Sequence, residues 1–124
     1  MGTHILEAGD VIKRRKGIFE HVGLFIGNNL VFHNTPEKGE HVSSFAEFSD
    51  GHEVTLLKTA GGKKNGVLER ARNAINSPRP YNAFNNNCEH TVNRVFYGES
   101  KSPQLVVFCL LAVIVFGVIL SAKS

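Results

Sequence analysis

The sequence predicts an α+β fold: a small antiparallel sheet packed against helices, followed by one C-terminal transmembrane helix. Three observations carry this expectation. Two apolar runs flank Gly27-Asn28-Asn29, the mark of a β-hairpin. Cys88, Val92, Val95 and Phe96 recur at helical spacing behind a run of asparagines. From Leu105 to Leu120 there is no polar or charged residue.

Taken in order, Gly9-Asp10 reads as a turn into a first strand at Val11-Ile12, with a basic cluster from Lys13 to Lys16 ending at Gly17. Residues 21 to 34 form the hairpin. With a three-residue loop, position 26 pairs with 30, 24 with 32 and 23 with 33. Val22, Leu24, Ile26, Leu30 and Phe32 then share a core face, and His21, Gly23, Phe25, Val31 and His33 share the other. The two histidines become diagonal neighbours within mutual reach, whereas a two-residue loop would separate them. Residues 35 to 51 read as loop with a short helical turn at 44 to 48, and residues 53 to 58 as a strand. Val67, Leu68, Ala71, Ala74 and Ile75 mark a helix that Ser77-Pro78 stops. The Cys88 helix begins after Asn87, a favoured N-cap, and ends at Gly98.

The 124 residues thus divide into a domain over 1–98, a linker over 99–104 and an anchor over 105–122. A domain of that size holds one core. The anchor's roughly 18 residues rise about 27 Å as a helix, near the lower limit for a bilayer. Nothing near the N-terminus reads as a signal peptide, because Ile5-Leu6 is followed at once by Glu7 and Asp10. The expected placement is a single-pass C-terminal anchor with the domain on the cytosolic side. A formal charge of +3 suits an anionic lipid surface, and the two cysteines cannot form a disulfide framework.

Cys88 in the first turn of a helix meets unsatisfied backbone N–H groups and the positive end of the dipole, which favour a thiolate. A cysteine nucleophile also needs a base within reach and a partner to orient that base. His21 and His33 on one sheet face supply two candidates. His90, two positions after Cys88, points away from it on a helix. His4, His41 and His52 fall in predicted loops and read as solvated. No CxxC or HxxxH spacing indicates a metal, and no cofactor is implied.

Gly9-Asp10-Val11-Ile12, His21-Val22-Gly23-Leu24-Phe25-Ile26-Gly27, Val31-Phe32-His33 and Asn87-Cys88-Glu89-His90 together resemble the lecithin:retinol acyltransferase family, and within it the small phospholipase A/acyltransferase proteins that carry a C-terminal hydrophobic anchor. The similarity runs from about Gly9 to the anchor, through Arg70-Ala71-Arg72 and Lys101-Ser102-Pro103-Gln104. Thr91 stands where that family usually has an aromatic residue. The resemblance implies a circularly permuted papain-like (NlpC-type) fold with Cys88 as nucleophile, His21 as general base and His33 orienting it. It implies acyl transfer from glycerophospholipids through a Cys88 thioester, as phospholipase A or as N- or O-acyltransferase. The expected partner is a phospholipid bilayer rather than nucleic acid. Two alternatives remain at this point: a cysteine peptidase or amidase of the related fold, and a catalytically silent membrane adaptor like the viral relatives.

Overall fold

The computed structural model describes residues 5–99 and 102–123. Its centre is the hairpin. β2 (Phe19–Gly27) and β3 (Leu30–Thr35) run antiparallel, with Leu24 opposite Phe32 and Phe25 opposite Val31. The loop is two residues, Asn28 and Asn29, both left-handed at φ 51° and 60°. This is the primed turn whose twist matches that of paired strands, and asparagine tolerates it. The sequence predicts a longer loop with 26 opposite 30, but Gly27 pairs with Leu30 and the register shifts between Phe25 and Gly27. A bulge at Ile26 absorbs the extra residue. The expected pairing of 24 with 32 therefore survives a shorter loop.

Three further strands complete an antiparallel sheet in the order β4-β3-β2-β1-β5, with β1 at Val11–Lys16, β4 at Gly39–Ser44 and β5 at Thr55–Lys58. Both faces are covered. On one side Val11, Val22, Leu24 and Phe32 pack against Val67 and Ala71 of α2 (Lys64–Asn76) and Val92, Val95 and Phe96 of α3 (Cys88–Tyr97). On the other, Ile12, Phe25, Val31 and Val54 enclose Phe48 of the short helix α1 (Phe45–Ser49). Gly23 is the opening that admits Phe48: a Cβ there would lie 2.7 Å from both the Phe48 ring and Val31 Cγ1. A glycine inside a strand pattern commonly marks such a close approach.

α3 starts as its sequence dictates. Asn87 Oδ1 accepts from the N–H groups of Glu89 and His90, and His90 Nδ1 accepts in return from Asn87 N–H. This reciprocal cap occupies three of the four amides that the helix leaves unpaired. His90 is thus a buried capping residue. Gly98, at φ 81°, closes the helix.

A polar network fixes α3 to the sheet. Glu40 of β4, whose side chain is fully buried, accepts from Thr91 Oγ1 at 2.7 Å, from Arg94 Nη2 at 2.7 Å and from Arg79 N–H at 3.0 Å. Burial alone would push the Glu40 carboxyl up, but these donors hold it below its ordinary value. Asn34 Nδ2 of β3 donates to Thr91 Oγ1 and to Asn86 O. Thr91, in place of an aromatic residue, is the hydroxyl at the centre of this network. Removing one member of a buried ion pair leaves the other uncompensated, which costs about 3–5 kcal/mol. Glu40→Ala is therefore expected to lower unfolding free energy by roughly 3 kcal/mol, as read from the urea midpoint; a loss below about 1 kcal/mol would place the anchoring of α3 elsewhere.

The transmembrane helix predicted over 105–122 is not borne out: among the described residues no helix is long and apolar enough to cross a membrane. The apolar run lies in α4 (Pro103–Lys123), whose first turns belong to the domain. Ser102 Oγ donates to Glu89 Oε1, Gln104 N–H donates to the same oxygen, and Leu105 and Phe108 face a cleft beside Cys88. Around and beyond those contacts Val106, Val107, Leu110, Leu111 and Ile114 are exposed, so hydropathy marks an apolar run without saying where it is buried.

Candidate active site

The ladder between β2 and β3 stops at Leu24 and Phe32. Towards its start, β2 is met instead by groups from the C-terminal half of the chain. The side-chain amide of Gln104 spans the backbone of Glu20, accepting from its N–H at 2.9 Å and donating to its C=O at 3.0 Å. The first residue of α3, Cys88, approaches the same segment, its thiol 4.0 Å from Glu20 O. Cys88 is half-buried.

His21 follows Glu20 and lies on the face that carries Phe48. Its ring stacks on Phe48 with centroids 5.3 Å apart, and its Nε2 is 2.9 Å from Nδ1 of His33. His33 Nε2 is in turn 2.8 Å from Ser43 Oγ on β4. Both histidines are almost completely buried, at 2% and 3% exposure. Burial lowers each pKa from 6.5 to about 3, His21 with further lowering from His33 and Arg14, His33 from His41. Both rings are therefore neutral at pH 7.

A cleft of about 390 Å³ opens beside this group, lined by His21 and Cys88 with mostly apolar walls from Phe19, Phe84, Leu105 and Phe108. His33 does not line it. The structure thus joins His21 and His33 by a direct hydrogen bond, and His21 and Cys88 both line one cleft. Among the described residues the thiol's hydrogen bond goes to Glu20 O and not to the His21 ring.

The electrostatics of Cys88 differ from the expectation of a depressed thiol pKa. Burial pushes it up, the Val22 N–H that points at Sγ pulls against this, and the Glu89 carboxylate adds to the rise. The dipole argument weakens because Asn87 already occupies the amides of Glu89 and His90. A neutral thiol beside neutral imidazoles is the resting state, so deprotonation depends on a base.

The remaining histidines fall into different surroundings. His52 is exposed, as its loop position predicts, and His4 lies outside the described residues. His41, expected to be solvated in a loop, is instead half-buried on β4, its ring 4.3 Å from that of His33 and its Nδ1 2.7 Å from Gly39 O. Sequence reasoning gives no role to Ser43, Phe48 or Gln104. Only Gly23 carries a readable signal for the packing that places the His21 ring.

Among characterised proteins, the chain is similar to human Phospholipase A and acyltransferase 2. The two are 24% identical over 120 residues, covering 78% of this chain and 74% of that protein. No protein-family model matches the chain.

Proposed function

We propose that this chain is a thiol acyl hydrolase or acyltransferase acting on glycerophospholipids, with Cys88 as nucleophile, His21 as general base and His33 orienting His21. The observation that carries the reading is the His33-bonded His21 ring sharing an apolar cleft with Cys88. Similarity to a protein named for phospholipase A and acyltransferase activity supports the reaction class. The acyl-transfer domain is residues 1–98, and the start of α4 contributes one wall of its cleft.

In this reaction His21 takes the proton of Cys88 as the sulfur attacks an ester carbonyl. The carbonyl oxygen gains negative charge near the start of α3. There the Cys88 N–H is the first-turn amide that the Asn87 cap leaves over. Such a donor contributes about 3–4 kcal/mol in acyl-transfer sites. The tetrahedral species collapses, the C–O bond breaks, and protonated His21 delivers its proton to the departing lysophospholipid. Water then resolves the thioester as a phospholipase A, or an amine or alcohol does so as an acyltransferase. The walls of Phe19, Phe84, Leu105 and Phe108 suit an acyl chain better than a peptide backbone, which needs hydrogen-bonding partners.

Incubation with phosphatidylcholine vesicles followed by intact-mass and peptide spectrometry is expected to reveal a fatty-acyl adduct on Cys88, absent in Cys88→Ser. Fatty-acid release equal in the two proteins would sink the assignment.

A further inference from the structure

We infer that Ser43 is a positioning residue that sets the tautomers of His33 and His21, so that a bare nitrogen of His21 is presented to Cys88. Hydrogen-bond polarity along the relay is set from one fixed end. Ser43 Oγ lies 3.0 Å from the backbone carbonyl of Ser44. A carbonyl only accepts, so the hydroxyl proton points there. The oxygen is then an acceptor toward His33 Nε2, at 2.8 Å, which must carry the proton of that ring. A neutral imidazole has one N–H, so His33 Nδ1 is bare and accepts from His21 Nε2–H across 2.9 Å. His21 Nδ1 is consequently the unprotonated nitrogen. It is the only ring nitrogen in the chain of bonds left to take a proton from the cleft.

The chain of bonds therefore ends in a peptide carbonyl where a hydrolytic triad often ends in a carboxylate. Charged or titratable groups do surround the two rings: Arg14 and Lys16 from β1, Lys38 beside β4, His41 on β4 and Glu47 on α1. Glu47, the carboxylate of the set, is tied to Lys38 at 2.6 Å on the surface. His41 holds its own tautomer through Gly39 O. None of these contacts fixes the His33 proton; Ser43 does. Without the hydroxyl, His33 can carry its proton on Nδ1 and donate to His21. That arrangement places the His21 proton on Nδ1, where it blocks the base.

The kinetic consequence rests on the acyl-transfer reading, but the tautomers do not, so the two are measured separately. In the full chain with ¹⁵N-labelled histidine at pH 7, the expected spectrum has protonated Nε2 and bare Nδ1 for both His21 and His33. Ser43→Ala should shift both rings toward the opposite tautomer, and Ser43→Thr, which keeps the hydroxyl, should restore it. On phosphatidylcholine vesicles, Ser43→Ala should lower kcat by about 10–100-fold with little change in KM, the range typical of lost orienting contacts, and Ser43→Thr should recover most of it. A wild-type His21 bearing its proton on Nδ1 overturns the inference, whether or not the alanine variant folds. Unaltered tautomers in Ser43→Ala overturn it too. Tautomers that follow the hydroxyl in a protein with no acyl transfer uphold the relay and refute the proposed function.

Discussion

Replacing His21 with asparagine is expected to reduce fatty-acid release from phosphatidylcholine vesicles by about 10²–10⁴-fold, the span that a general base contributes. The size of the effect follows from the resting charge state. Burial keeps the Cys88 thiol protonated, and the neighbouring imidazoles are neutral. No preformed thiolate is available to sustain attack when the base is removed. A depressed thiol at an uncapped helix start would make the same substitution much milder. Asparagine is chosen because it can still donate to His33 Nδ1 and fills part of the space against Phe48. His33→Asn should be less damaging, about 10–100-fold, since His33 acts only through His21. Retention of a third of wild-type activity by His21→Asn, with circular dichroism unchanged, would remove His21 from the mechanism.

Features encoded locally are the ones legible in the sequence. The Asn87 cap, the apolar spacing after Cys88 and the stop at Gly98 all act within a few residues, and α3 forms where they indicate. The alternation around Asn28-Asn29 likewise places His21 and His33 on a common face. The loop is one residue shorter than that alternation suggests, and the bulge at Ile26 compensates. β4 reads as loop because Gly39-Glu40-His41-Val42-Ser43-Ser44 has one strong strand former among polar residues. Its strand state is set by distant partners: Glu40 by Thr91 and Arg94, Ser43 by His33. Tertiary context overrides propensity in such segments. The tail shows the converse. Hydropathy favours a span, but Leu105 and Phe108 take part in the cleft and Gln104 bonds to Glu20. For Cys88 itself, a rule about helix ends gives the wrong direction, because burial outweighs a dipole whose amides are already capped.

Acidification should destabilise the fold well before carboxylates titrate. His21 and His33 have pKa values of about 3 in the folded chain, lowered chiefly by burial, against about 6.5 when unfolded. Between those limits the unfolded chain binds more protons than the folded one, so stability rises with pH. The contribution is fully present above pH 6.5 and is lost as pH falls. Each histidine supplies a slope of about 1.4 kcal/mol per pH unit, or roughly 2 kcal/mol between pH 6.5 and 5. The two are not independent, because one hydrogen bond joins them. A first proton can sit on His21 with the bond to His33 intact, whereas a second would set two donors face to face. Glu40, held below its ordinary value, contributes with the same sign but only at lower pH. Urea unfolding at pH 7.0, 6.0 and 5.0 isolates the histidine window. Wild type should lose on the order of 4 kcal/mol across it, and the double variant His21→Asn/His33→Asn should lose much less. A wild-type midpoint that stays flat down to pH 5 would mean that the rings are solvated and titrate normally. Rings so exposed would not keep the buried hydrogen bond that joins them.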